Sequence, residues 1–337
     1  MSVKSELLKL LEANRGKDLS GEQIASQLNV TRAAVWKAVK SLTAEGYHIE
    51  AGNNRGYRLM PGNDILSAEG IGLFLKKEHE IIVLPEVDST NNEMKRRVID
   101  GAKEGMVILS EHQTAGKGRR GREFFSPRGL GIYMSMLFYP EGRKVQDVLS
   151  ITAHAAVAVS RAISKVCHKE TQIKWVNDII LNDRKVCGIL TEASADIESA
   201  GVDVVVVGVG INFHAMKEEE VPEELLDVVG YIMEGDEWCE VTRCELAAEV
   251  INELYGYYEN YPGPSVMEEY RRRSIVLGKR VCFGTPGEVA GQIGDDWEEG
   301  LAVEIDDFGG LVVEMDDGSR KTLRTGEISL RLKKDVP

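Results

Sequence analysis

One stretch limits what this chain can fold into: Gln113-Thr114-Ala115-Gly116-Lys117-Gly118-Arg119-Arg120-Gly121-Arg122, where three glycines alternate with four cations between two apolar, β-rich runs. It has no apolar face to bury, and ordering it costs about 1–2 kcal/mol of backbone entropy per residue. It therefore has to be a loop between strands, expected to stay loose until something holds it. An anion is the natural holder. Lys117, Arg119, Arg120 and Arg122 supply charged donors, and glycines let backbone N–H groups come close to phosphate oxygens. The bland alternative is a solvated basic loop.

A length of 337 residues with 43% hydrophobic content suggests two or three domains with packed cores. The five cysteines, at 167, 187, 239, 244 and 282, contain no CxxC pair and are odd in number, which points away from a disulfide framework or a zinc site. No apolar run reaches the roughly 18–20 residues of a membrane span, and the amino terminus reads as an amphipathic helix rather than a signal peptide. The expectation is a soluble cytoplasmic protein. The whole chain carries a net charge of −14, yet residues 1–65 hold nine Lys/Arg against seven Asp/Glu. Any contact with nucleic acid belongs to that first block.

Within it, residues 5–14 carry a leucine stripe, and Ser20 to Gln23 has capping-box spacing ahead of Ile24, Ala25 and Leu28. Thr31 is a good N-cap for a helix from Arg32 to Ala44 that would bury Val35, Val39 and Leu42. Its other face presents Thr31, Arg32, Trp36, Lys37 and Lys40, where a recognition helix meets base edges. Two short strands around Asn53-Asn54-Arg55-Gly56 complete a wing with a basic tip, so residues 1–64 read as a winged helix-turn-helix. A small helical interaction module is the alternative, with Trp36 dividing the two: outward for DNA or a partner, inward for packing. Pro61-Gly62-Asn63-Asp64 has linker composition.

Residues 65–270 form the largest block. A strand at Ile81–Leu84 leads into the polar turn Asp88-Ser89-Thr90-Asn91-Asn92 and a helix, with Ser89 or Thr90 as its cap. Strands at Met106–Leu109 and Leu130–Tyr139 flank the basic loop. From Asp147 to Cys167 the sequence is alanine-rich, with no charged residue between Asp147 and Arg161, so that helix should be buried nearly all round. His154 inside it reads as a core residue, and His112 beside the loop as structural. Lys174-Trp175-Val176-Asn177-Asp178 ends a strand, and a hairpin at Asn182-Asp183-Arg184 follows. Lys185 opens the next, otherwise apolar strand and is either a site residue or an ordinary solvated turn lysine. Gly208-Val209-Gly210-Ile211-Asn212 lacks the third glycine and the helix of a dinucleotide fingerprint, and no GxxxxGK[ST] exists for a P-loop. Residues 216–240 are acidic and weakly structured, 242–260 helical, and Tyr261–Pro264 a break. In residues 271–337, short runs at 279–283, 288–293, 301–305 and 311–315 are split by Gly and Asp, as in a small antiparallel barrel.

This order of motifs resembles the family of bifunctional biotin protein ligases and biotin operon repressors. The resemblance rests on Asp88 to Asn91, on Gln113 with Gly116 to Arg122, on Lys174-Trp175 with Asn177-Asp178, on Arg184-Lys185 with Gly188-Ile189-Leu190, and on Gly208 with Gly210-Ile211-Asn212. The winged helix and Gly326-Glu327-Ile328-Ser329-Leu330 agree, so it covers nearly the whole chain. It implies an α+β protein: a winged helix-turn-helix, a central mixed-sheet ligase domain like a class II synthetase, and an SH3-like barrel.

The implied chemistry has two steps. Biotin and ATP give biotinyl-5′-adenylate, whose acyl carbon is then attacked by a lysine of a biotin carboxyl carrier protein. Ser89, Thr90, Asn91, Gln113, Lys117, Gly118, Arg119 and Lys185 match biotin-contacting positions. Gly116, Arg119, Arg120, Gly121, Arg122, Phe124, Asn177 and Asn212 match the adenylate and phosphate region. Lys185, Arg120 and Asp178 would be catalytic, with Asp178 also the Mg²⁺ ligand. Thr31, Arg32, Trp36, Lys37, Lys40 and Arg55 would contact operator DNA, bound by a homodimer that biotinyl-AMP promotes. Lys117 stands where arginine is usual, Phe124 where many relatives have tryptophan, and Val176 where proline is usual. Two rivals remain at this point: a biotin-sensing DNA-binding repressor without catalysis, and a ligase of another acyl acid such as lipoate.

Overall fold

The computed structural model describes all residues except 1, 53–54, 141–144, 196–201, 235–240, 261–263, 285–296, 325–328 and 333–337. Three helices open the chain: α1 (Val3–Ala13), α2 (Gly21–Gln27) and α3 (Arg32–Ala44). Their starts follow the expected chemistry. Ser2, Ser20 and Thr31 each cap through the side chain, and Ser20 with Gln23 forms a complete capping box. Leu7, Leu11, Ile24, Val35 and Leu42 meet in a core of their own. The hairpin β1 (Ile49–Gly52) and β2 (Gly56–Leu59) is the wing. Asn53 and Asn54 at its tip lie outside the described residues.

The stretch with linker composition is no free tether. The Asn63 side chain accepts from the His48 N–H at 2.6 Å, and Arg15 donates to the Pro61 and Asn63 carbonyls. Asp64 sits deeper still. It accepts from His214 at 2.6 Å and from the Arg243 N–H at 2.8 Å, and Arg243 also pairs with Glu111 at 2.7 Å. Composition alone could not reveal this, because the partners lie up to 179 residues away.

After the short helix α4 (Ala68–Gly72), the strands β3 (Ile81–Leu84), β4 (Val107–Ser110), β5 (Gly131–Phe138), β6 (Gln172–Lys174), β7 (Asp178–Leu181), β8 (Arg184–Ala195) and β9 (Val202–Asn212) form one seven-stranded sheet. Its order is β3-β4-β5-β9-β8-β7-β6, with β3 parallel to β4 and every other pairing antiparallel. The period-2 alternation of strands sorts side chains between two faces. Val107, Leu109, Met134, Met136, Val205 and Val207 pack with α6 (Val145–Cys167) and α7 (Arg243–Glu259) in the main core. Ile108, Leu137 and Val206 pack against Met94 of α5 (Thr90–Ile99) on the other face. As the charge-free run between Asp147 and Arg161 requires, α6 is buried from Ala153 to Ile163 apart from Arg161. In residues 216–234 helical structure is limited to two short 3-10 turns, Glu218–Glu220 and Glu223–Leu225, and Val229 and Met233 make single bridges to Lys185 and His214.

The helix α8 (Pro264–Arg273) leads to the strands β10 (Arg280–Gly284), β11 (Glu298–Ile305), β12 (Leu311–Glu314), β13 (Arg320–Leu323) and β14 (Ser329–Leu332). They form an antiparallel sheet of order β13-β12-β11-β10-β14. The strand expected at 288–293 and the glycine-glutamate pair at 326–327 lie outside the described residues. The sheet docks on the central one: Trp175 Nε1 donates to the Gly309 carbonyl at 2.9 Å. No helix among the described residues is long and apolar enough to cross a membrane.

Candidate ligand and DNA sites

The chemistry gathers on the α5 face of the central sheet, just beyond the start of that helix. Three glycines make the room. A Cβ on Gly208 would stand 2.3 Å from Asn91 Oδ1, and one on Gly210 2.5 Å from the Phe124 ring. A Cβ on Gly188 would meet the same ring and the Lys185 side chain at 3.1–3.3 Å. The resulting cavity has a volume of about 510 Å³.

One end of the cavity is polar and buried. Ser89 occupies the N-cap position of α5 but makes no side-chain cap bond, contrary to the expectation. Gln113 takes over, its Oε1 accepting from the Thr90 N–H at 2.9 Å, while its Nε2 donates to Ser126 Oγ at 2.9 Å. Asp88 accepts from Asn92 Nδ2 at 2.7 Å and pairs with Arg96 at 2.6 Å, hydrogen bonds that hold its carboxyl well below the usual carboxylate range. The Ser89 hydroxyl is thus left for the cavity, whose wall Thr90 and Asn91 continue. Asn92, which the sequence left without a task, anchors the basic loop by accepting from Lys117 Nζ at 2.6 Å.

That loop is not the unsupported strap its composition suggests. Thr114 and Ala115 donate to the Val87 and Asp88 carbonyls at 2.9 Å, Phe124 N–H to the Gly116 carbonyl at 2.8 Å, and Gly118 N–H to the Arg122 carbonyl at 2.7 Å. Gly116 is required here, since a Cβ would stand 2.3 Å from the Phe124 carbonyl oxygen. At the tip Arg120 adopts φ 59° and Gly121 φ 71°. A left-handed non-glycine residue costs about 1–2 kcal/mol, and such strain concentrates at ligand-binding segments. Arg119 turns inward and donates to Asn177 Oδ1 at 3.1 Å, and Asn177 in turn donates to the Ile189 carbonyl at 2.7 Å. Burial pushes the Arg119 pKa down, against the Asp178 charge. Its Nη2 is buried with no hydrogen-bond partner among the described residues. A guanidinium N–H in that position has the geometry and charge to donate to an anion.

Lys185 completes the cationic end. The β7–β8 hairpin turns through Asn182 and Asp183 at φ 50° and 60°, the pattern of a type I′ turn. This brings Lys185 Nζ 2.7 Å from Asp178 Oδ1. The Lys185 N–H donates to Val228 and its carbonyl accepts from Gly230, both at 2.8 Å, so its backbone is fixed on both sides.

Most residues expected at the site meet around this one cavity: Ser89, Thr90, Asn91, Gln113, Lys117, Gly118, Arg119, Arg120, Arg122, Phe124, Asn177, Asp178 and Lys185. Gly116, Gly121 and Asn212 do not line it. Gly116 is walled off behind Phe124, Gly121 is at the loop tip, and Asn212 Nδ2 donates to the Lys185 carbonyl at 3.2 Å. Glu224, Leu225 and Val228 form an unanticipated rim. Their only signal was position in an acidic run with no regular periodicity. His112 pairs with Glu86 at 3.0 Å, and His154 Nδ1 bonds the Ser150 carbonyl; neither lines the cavity. No cluster of three metal-binding side chains occurs among the described residues.

At the amino terminus, Thr31, Arg32, Trp36, Lys37, Lys40 and Arg55 are all exposed. Trp36 is 57% exposed, with Lys40 Nζ 5.3 Å above its ring, which answers the question of which way it faces.

Comparison with known proteins agrees with this geometry. Residues 83–212 match the Biotin/lipoate A/B protein ligase family, residues 3–58 an HTH domain, and residues 276–331 the Biotin protein ligase C terminal domain. The bifunctional ligase/repressor BirA of Escherichia coli is 32% identical over 330 residues, covering 98% of both chains. The chain belongs to the biotin protein ligase family. The bifunctional ligase/repressor BirA of Bacillus subtilis is 30% identical over 325 residues, 95% of this chain and 96% of the relative. Among solved structures, the biotin protein ligase from Aquifex aeolicus in complex with biotin and ATP superposes with a TM-score of 0.60 at 25% identity, over 75% of this chain and 99% of that one. In the biotin protein ligase family, then, this chain is one with a DNA-binding module in front.

Proposed function

We propose that this chain is an ATP-dependent biotin protein ligase that joins biotin to ATP as biotinyl-5′-AMP and transfers the biotinyl group to a lysine of a biotin carboxyl carrier protein. Through its winged helix it is also a biotin-responsive repressor of biotin synthesis genes. The observation that carries the reading is one cavity with a neutral hydrogen-bonding end at Ser89, Thr90, Asn91 and Gln113 and a cationic end at Arg119 and Lys185.

Biotin has a compact ureido head and an apolar tail ending in a carboxylate, so it lies along this axis with its head in the neutral end. In the first step its carboxylate oxygen attacks the α-phosphorus of ATP and pyrophosphate leaves. Two anions are brought together, and Lys185, Arg119 and Arg120 offset their repulsion; one positioned donor of this kind is typically worth about 3 kcal/mol of barrier. In the second step the carrier's lysine amine attacks the acyl carbon and AMP departs. No covalent enzyme intermediate is needed. Mg²⁺ commonly binds through one or two carboxylates together with substrate phosphates. Asp178, the carboxylate facing Lys185, fits that pattern; the ion would supply further charge neutralisation at the phosphates.

The segments divide near residues 64/65 and 270/271. Two chains pair when biotinyl-AMP is bound, placing two recognition helices on paired operator half-sites. The exposed cations Arg32, Lys37 and Arg55 face solvent, where they can meet phosphates.

Incubation of the purified chain with ATP and either biotin or lipoate tests the enzyme reading. Biotinyl-AMP and pyrophosphate should form with biotin, and the label should pass to an added carrier. Activity with lipoate alone would make it a ligase of the other acid, and none with either acid would leave a sensor.

A further inference from the structure

Beneath the neutral end of the cavity runs a line of hydrogen bonds whose direction is set from one end. Glu192 on β8 accepts from Lys95 Nζ at 2.6 Å and from Asn91 Nδ2 at 2.8 Å. Burial works to raise its pKa, but the hydrogen bonds from Lys95 and Asn91 outweigh it and hold it below 4.5, so it is ionised at neutral pH. An ionised carboxylate only accepts. Asn91 therefore turns its NH₂ toward Glu192 and the Leu190 carbonyl, the latter at 3.3 Å, and its Oδ1 toward Ser135 Oγ at 2.6 Å. That oxygen carries no proton, so Ser135 donates to it.

Ser135 has one proton, now used, and Thr90 Oγ1 lies 2.8 Å from its oxygen. Two oxygens this close need a proton between them, so Thr90 donates. Gln113 Oε1, at 3.2 Å from Thr90 Oγ1, is the longer competitor and already holds the Thr90 N–H. The Thr90 hydroxyl is left with lone pairs only.

We infer that Glu192, which does not touch the cavity, is a positioning residue: its charge orients Asn91, Ser135 and Thr90 so that Thr90 meets a ligand as an acceptor and selects a head group bearing N–H. Glu192 thereby helps set specificity for a ureido ring over acids whose head cannot donate. The inference rests on the ligase reading above.

The test uses the full chain as wild type and as Glu192→Gln, whose amide can both donate and accept and so no longer dictates the direction. Binding and adenylate formation are measured with biotin and with biotin methylated at either ureido nitrogen. Wild type should favour biotin strongly. In Glu192→Gln the KM for biotin should rise about tenfold, in line with a lost neutral hydrogen bond between the Thr90 hydroxyl and the ligand, with kcat and the KM for ATP within about twofold. The preference over one methylated form should shrink. With Thr90→Val as background, Glu192→Gln should add little, since the two residues act as one unit. An unchanged biotin KM and unchanged discrimination overturn the inference. So does a parallel loss for biotin and ATP with a lowered Tm, which would mean Glu192 only supports the fold. Absence of biotinyl-AMP with wild type would instead defeat the ligase reading.

Discussion

The joint between winged helix and ligase allows a quantitative test. Arg243 opens α7, its side chain 2% exposed, and spends its donors on Glu111, Asp64 and the carbonyls of Gly131 and Asp64. Replacement by leucine keeps much of the volume but strands two carboxylates that are only 19% and 16% exposed. Breaking a buried pair by removing one partner typically costs about 3–5 kcal/mol, far more than a surface pair contributes. Asp64 retains His214 and Glu111 retains the Leu66 N–H, at 2.6 and 3.0 Å, so the lower end of that range is expected.

The pH dependence carries a definite sign. Burial acts to raise the Asp64 pKa, yet the His214 hydrogen bond and the Arg243 charge together lower it from 3.8. A lowered carboxylate contributes stability that is fully present above the ordinary value and is lost as pH falls through the folded value. Without Arg243 that lowering is weakened, and protonation relieves the stranded charge. The deficit of Arg243→Leu should therefore be largest near pH 7 and shrink toward pH 4. Urea unfolding at both pH values, followed by circular dichroism, measures it. A loss below about 1 kcal/mol, or one independent of pH, would refute the claim that this arginine neutralises buried charge.

Three further outcomes are expected. Lys185→Ala should slow adenylate formation about a hundredfold or more with Tm nearly unchanged; equal losses of stability and activity would make the lysine structural. Gly208→Ala should cost about 1–3 kcal/mol and abolish biotin binding, because its methyl carbon would fall 2.3 Å from Asn91 Oδ1; calorimetry showing normal biotin affinity would mean Asn91 is not where the ligand binds. Sedimentation should show association only when biotin and ATP are both present, and a ligand-independent monomer that protects an operator would defeat the pairing scheme.

What could be read in the sequence was local chemistry. Thr31 as a cap, the cationic face of Arg32, Lys37 and Lys40, the continuous apolar runs that become β4, β5 and β9, and a cation-rich loop all follow from neighbours within a few positions. The cavity residues were legible because their motifs are short and ordered. Lost to the sequence were partnerships across long separations, such as Glu192 under Asn91 or Arg243 on Asp64, since a lone Glu or Arg carries no sign of what folds against it. The support of the basic loop was missed for the same reason. Its glycines advertise freedom, while Gln113, Ser126 and Asn92, which hold it, look like ordinary polar residues.

The anchored stretch at Asn63 and Asp64 has a consequence for gene control. A DNA reader whose connecting residues are hydrogen-bonded on both sides, as Asn63 and Asp64 are, is held against swinging freely to match whatever gap separates two half-sites. In the pairing proposed above, the separation of the recognition helices would be dictated by how the ligase bodies meet, as the span of callipers is dictated by the hinge. An operator with one base pair inserted at its centre would then be ignored, however faithful each half remained.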